Sequence, residues 1–245
     1  MPIKCVLLDL DQTLASPSQG YKFQDLILEG YSKTLSRRFN VPVEKVVNVV
    51  VSVVMEAKAS PTINTTLAEK MFYGFVKGLG VTIIDILDAT DEYYFNEFPK
   101  LKEGYRRTSG AYETVNALFE KGYRVAIATD PLIRLFGVIL RLKWIGLDKF
   151  PYCHLSSADT SHAAKPHPYF FKEIVEKCGC KVEESVMVGD LIDNDIVGAK
   201  KAGLKTILFV HDVNKDIIHK RLSFEEKPDF MIHKLPELLE ILEKI

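Results

Sequence analysis

The chain has 245 residues, 47% of them hydrophobic, and a formal net charge of −1. That length supports a large core, or a core domain carrying a smaller insert. The near-neutral balance gives no electrostatic case for nucleic acid or an anionic membrane surface as partner.

The first apolar run, Ile3–Leu8, reads as a strand and is cut off by Asp9 and Asp11, which is not the pattern of a secretory leader. From Lys22 to Pro99 the pattern is helical, with helices expected over Lys22–Phe39, Val43–Ala59, Thr65–Leu79 and Thr82–Phe98. Asn40 with Pro42, Ser60-Pro61, and Gly78 with Gly80 supply the breaks. The Val-rich second segment suits a strand by propensity, but its length and its flanking Glu and Lys residues favour a helix. Its greasiest part, VVNVVVSVVM, is about half the ~20 residues a membrane span needs, so it reads as a buried helix. A cytoplasmic protein, with no membrane partner, is the expectation.

From Thr108 the style alternates. Helix is expected over Ala111–Lys121, strand over Arg124–Thr129, helix over Leu132–Ile145 and a short strand over Tyr152–Ser156. Then come helix Pro168–Cys178, strand Ser185–Val188, helix Asp195–Ala202, strands Thr206–Val210 and Phe230–Ile232, and helix Leu235–Leu242. Short Val, Ile and Leu runs separated by helices are the mark of a parallel sheet covered on both faces. The expected fold is α/β: a doubly wound, Rossmann-like core formed by residues 1–15 and 105–245, with a helical insert at 16–104.

The four cysteines are Cys5, Cys153, Cys178 and Cys180. Cys178-Gly179-Cys180 has no second pair at zinc-site spacing. Gly179 is therefore expected to end a helix, with reduced thiols as small side chains around it; an incidental disulfide stays open.

In open parallel sheets the ligand site lies at the carboxyl ends of the strands. Asp9, Asp11 and Thr13 follow the first strand, Thr129 and Asp130 the second, and Gly189-Asp190 through Asp193-Asn194-Asp195 a later one, with Lys165 opening the helix at Pro168. Singly, most have ordinary readings as turn formers, helix caps or a solvated lysine. Together they crowd Asp9, Asp11 and Asp190 against Lys165 alone, and like charges a few Å apart need a cation. Oxygen donors, with no thiolate or His at ligand spacing, suit Mg²⁺, which keeps waters and is completed by phosphate.

These segments resemble the haloacid dehalogenase-like (HAD) hydrolases, in their phosphatase branch with a helical type-1 cap. DLDQTL (Asp9 to Leu14) is similar to the family's first motif and Thr129 to its second. Lys165 with Pro166 and Pro168 is similar to the third, and Gly189-Asp190 through Asn194-Asp195 to the fourth. All four occur in order, at expected strand ends.

The resemblance implies a phosphatase of a small phosphorylated metabolite, with Asp9 as the nucleophile that forms an aspartyl-phosphate and Asp11 as acid and base. It implies phosphoryl binding by Lys165, the Thr129 hydroxyl and the backbone N–H groups of Leu10 and Asp130. It further implies Mg²⁺ held by Asp9, the Asp11 carbonyl and Asp190, supported by Asp195 through water, with Asp193 as competitor for that place. Dehalogenases of the family are expected to lack an acid at the position of Asp11, so Asp11 favours phosphate esters. The alternatives are a phosphomutase, a 2-haloacid dehalogenase, or a phospho-acceptor or regulatory protein without turnover. The polar break from Lys58 to Asn64 has two readings, a stretch of the cap that faces the substrate and an ordinary connection between helices, and the second is preferred.

Overall fold

The uninterrupted CVLL run makes β1 (Cys5–Leu8) a strand buried on both faces, and the rest of the fold is arranged around it. A computed structural model describes residues 2–17, 22–62, 64–210, 223 and 226–245. In it β1 pairs in parallel with β4 (Arg124–Ile127) on one side and β6 (Ser185–Gly189) on the other. With β5 (His154–Leu155), β7 (Lys205–Phe209) and β8 (Phe230–Ile232) the six strands run in the order β5-β4-β1-β6-β7-β8, every pairing parallel.

Alternation along β1 divides its side chains between two cores. Val6 and Leu8 join Val115 and Leu118 of α5 (Ala111–Glu120), Val138 and Leu142 of α6 (Leu135–Trp144), and Leu238 and Leu242 of α9 (Glu237–Leu242). Cys5 and Leu7 point the other way, to Phe170, Phe171 and Ile174 of α7 (Pro168–Lys177) and to Ala199 and Ala202 of α8 (Gly198–Ala202). The core is thus the doubly wound α/β sheet expected.

Between β1 and α5 the chain makes α1 (Phe23–Phe39), α2 (Val43–Ala59), α3 (Leu67–Leu79) and α4 (Ile83–Glu92). The Val-rich segment is a helix because only one stripe of it is apolar-facing: Val46, Val50, Val53 and Ala57 are buried at helical spacing. They pack on Leu67, Met71 and Phe75 of α3, and Gly78 lets that helix approach so closely that a Cβ there would collide with Val49. Thr66 and Thr82 start α3 and α4 with reciprocal capping boxes to Glu69 and Asp85.

Four features depart from expectation. The helix expected to run to Phe98 ends at Glu92, widens into a π-helical turn at Tyr93–Glu97 and tightens into a 3-10 turn at Phe98–Gly104. Pro99 cannot donate a helical hydrogen bond, and the wide turn buries the adjacent Tyr93 and Tyr94 together. Likewise the helix expected from Asp195 begins as a π-helical turn, Ile192–Val197, before α8. A small antiparallel ribbon of β2 (Ala15–Pro17) and β3 (Tyr105–Arg107), unforeseen in the sequence, joins the two ends of the helical segment. Finally, Cys153 and Cys178 form a disulfide, so the preferred reading of reduced thiols is corrected in favour of the open alternative, a disulfide. The start of β5 meets the end of α7 with the two Cα atoms 5.2 Å apart, within bonding reach; Cys5 and Cys180 are free. Gly179 does end its helix, at φ +63°. Among the described residues no helix is long and apolar enough to cross a membrane.

Candidate active site

Because β4, β1 and β6 are neighbours, the residues after them meet at one edge of the sheet. The ladder carries on one step past β1: the Asp9 N–H donates to the Val188 carbonyl at 2.9 Å. Regularity then breaks. Gln12 takes a left-handed conformation, φ +64°, and the Leu10 carbonyl accepts from Ala15 N–H at 2.8 Å. This tight turn separates the environments of Asp9 and Asp11, which a continuing strand would place on one face.

Asp9 faces a buried charge cluster. Lys165 Nζ, on a side chain 3% exposed, donates to Asp9 Oδ1 and to Asp195 Oδ1, each at 2.6 Å. Carboxylate oxygens of Asp9, Asp190 and Asp195 all lie within 4.8 Å of one another. Asp195 is pinned from behind, its Oδ2 accepting the Leu191 N–H at 3.0 Å. A side chain at Gly189 would collide with that carboxylate, which is why β6 ends in glycine. Asp193, the alternative considered for this position, is exposed. Direct contact of Asp195 with Lys165 was not foreseen in the sequence.

Electrostatics mark the cluster as short of positive charge. Burial pushes Asp9 up to about 7 despite Lys165, with Asp195 and Asp11 adding repulsion. Burial and then the Asp9 and Asp195 charges push Asp190 up to about 8. Burial acts to lower Lys165, but Asp195 and Asp9 outweigh it and hold the ammonium well above its ordinary value. Three buried carboxylates around one ammonium, all oxygen donors, fit a divalent cation of the Mg²⁺ type.

Asp11 sits apart, in a second charged pair. Arg141, fully buried on α6, donates from Nη1 to Asp11 Oδ2 at 2.6 Å, and the Tyr105 hydroxyl donates to Oδ1 at 2.5 Å. Neither partner was anticipated. The available signal was a charge on an apolar helix face: Arg141 follows Gly137 and Val138 and precedes Leu142, all buried. Tyr105 carried no such signal.

Thr129 is 3% exposed and lines the site, its carbonyl accepting the Ser156 hydroxyl at 2.7 Å. Leu10 is buried in the turn, its side chain in the core. The Asp130 carboxylate pairs at 2.5 Å with Lys58, from the last turn of α2. The preferred reading of an ordinary loop from Lys58 is therefore corrected at its first residue, whose side chain faces the site. Above the cluster opens a cavity of about 520 Å³, floored by Asp9, Thr129, Lys165 and Asp190 and walled by α1 to α3.

Strand-end acids and a buried lysine on a doubly wound sheet, beneath a helical insert, define a hydrolase of the HAD-like class. A family model described as haloacid dehalogenase-like hydrolase matches residues 3–203, and the chain belongs to that family. It is 37% identical over 153 residues to a glyceraldehyde 3-phosphate phosphatase of Pyrococcus furiosus, a match spanning 62% of this chain and 59% of the relative. It is 28% identical to the pyrophosphatase PpaX of Bacillus mycoides, over 100% of this chain and 99% of the relative. In fold it is similar to a 2-haloacid dehalogenase from Pseudomonas syringae pv. Tomato DC3000, with TM-score 0.65, 20% identity and 99% of each chain covered.

Proposed function

We propose that the chain is a Mg²⁺-dependent phosphohydrolase of a small phosphorylated metabolite, working through an aspartyl-phosphate on Asp9. The observation that carries this reading is Asp9 itself: a buried carboxylate held by Lys165 beside Asp190 and Asp195, at the floor of a cavity. The names of the two relatives, which refer to glyceraldehyde 3-phosphate and pyrophosphate, support the substrate class.

Asp9, Asp190 and the Asp11 carbonyl would hold the cation, with Asp195 supporting it. Bound there, Mg²⁺ supplies positive charge that keeps Asp9 ionised and offsets its repulsion from phosphate. Asp9 attacks phosphorus as an anionic nucleophile that needs no separate base. Lys165, the Thr129 hydroxyl and the N–H groups of Leu10 and Asp130 bind the phosphoryl oxygens as charge moves onto them. Asp11 gives a proton to the leaving oxygen and later takes one from water. Both of its oxygens are engaged by Arg141 and Tyr105, so proton delivery requires one of these bonds to open. Residues 16–104 act as a cap that shields the intermediate over a core of 1–15 and 105–245. The presence of Asp11 favours an oxygen leaving group over a halide.

Orthophosphate release from an aryl phosphate tests the reading. Turnover is expected with Mg²⁺, lost in EDTA and restored by excess Mg²⁺; turnover indifferent to EDTA contradicts it.

A further inference from the structure

The cavity above Asp9 has two unlike ends. Its floor is the charge cluster, whereas its walls are mostly apolar, with Phe23 and Ile27 from α1, Val50 and Val54 from α2, and Phe72 and Phe75 from α3, against the polar Gln12, Gln24 and Asn194. The tyrosine hydroxyls that border it are turned into the protein. Tyr31 bonds Thr90 at 2.8 Å, Tyr94 accepts the Arg134 N–H at 3.0 Å, and Tyr93 donates to the Ile27 carbonyl at 3.4 Å.

Among the described residues, the cations lining the cavity besides Lys165 are Lys58 and Arg134. Each is closed in an ion pair at 2.5 Å, Lys58 with Asp130 and Arg134 with Asp159. A leaving group that is itself a phosphate would need to break these pairs or lose its hydration against aliphatic and aromatic carbon, which is costly. A three-carbon polar leaving group would leave most of the roughly 520 Å³, and nearly all of its apolar wall, unfilled.

We propose that the site takes monophosphate esters of apolar alcohols, whose alkyl or aryl body occupies the chamber between α1, α2 and α3 while the phosphoryl group rests on the Asp9–Lys165 floor. The proposal relies on the phosphohydrolase reading for the fate of the ester, and on the cavity alone for its binding.

Calorimetric titration with alkylphosphonates, which are not hydrolysed, tests the binding separately from turnover. With Mg²⁺ present, the dissociation constant is expected to fall by about fourfold per methylene from ethyl through hexyl, the yield of burying each group. Methylenediphosphonate, standing for pyrophosphate, is expected to bind more weakly than hexylphosphonate. Benzylphosphonate against heptylphosphonate separates aryl from alkyl preference. Val54→Asp is expected to flatten the series and Val54→Leu to keep it, with thermal melts confirming that both fold. Affinity that stays flat or weakens with chain length in wild type, or tightest binding of methylenediphosphonate, overturns the proposal. Affinity that rises with chain length in a protein that hydrolyses no ester upholds the apolar chamber and overturns the phosphohydrolase reading alone.

Discussion

Arg141 and Asp11 form an ion pair of unequal partners: the guanidinium is fully buried, whereas the carboxylate side chain is 24% exposed. Arg141 Nε and Nη2 have no hydrogen-bond partner among the described residues. The guanidinium lies 5.8 Å from the Phe23 ring centroid, so Asp11 is its principal compensation.

The two ways of breaking this pair should therefore differ. Asp11→Ala leaves a buried cation without its counter-ion, at a cost of about 3–5 kcal/mol. Arg141→Met leaves a carboxylate that water can reach and fills the space with apolar atoms, so it should cost markedly less. Denaturant unfolding of both variants measures the difference. Equal losses would mean that Arg141 is solvated in a way its burial does not show.

The acid cluster sets the response to pH and metal. Asp9 and Asp190 are raised to about 7 and about 8 from an ordinary 3.8. Across that window the folded, metal-free protein binds more protons than the unfolded chain. The stability contributed by these groups is complete below about 3.8 and is lost as pH rises through about 7 to 8. A Mg²⁺ ion held by these carboxylates would replace those protons, so its stabilisation should grow as pH rises from about 5 to about 8. Thermal melts with and without Mg²⁺ across this range check it; a pH-independent increment would place the cation elsewhere.

The Cys153–Cys178 bond closes a loop between residues 25 apart in sequence. Constraint of the unfolded chain by such a loop is worth about 3 kcal/mol in the loop-entropy account. Unfolded protein should titrate two free thiols without reductant, Cys5 and Cys180, and four after reduction. The Cys153→Ser, Cys178→Ser double variant should melt earlier than the oxidised wild type and be insensitive to reductant.

The legible part of this protein lay where chemistry and pattern coincide. Asp9, Thr129 and Asp190 follow short apolar runs, and strand-end position brings them together, while Lys165 stands just before α7. The Val-rich α2 was readable because Glu and Lys residues mark both its ends. What stayed hidden depends on pairings between distant segments. Arg141 meets Asp11 across 130 positions and Tyr105 meets it across 94. Three-residue strands such as β2 and β3 are too short to show alternation. The π-helical turns at Tyr93 and Ile192 break the helical period only by one residue, which composition does not record. The disulfide joins cysteines whose proximity is set by the docking of α7 beside β5.

The central claim is that Asp9 carries the phosphoryl group. Acid quenching during turnover of an aryl phosphate with Mg²⁺, then borohydride reduction, converts an acyl phosphate to homoserine at the modified position. Homoserine is expected at position 9, only when substrate and Mg²⁺ are both present, with Asp9→Asn inactive. Orthophosphate release with an unmodified Asp9, and persisting in Asp9→Asn, would contradict the account.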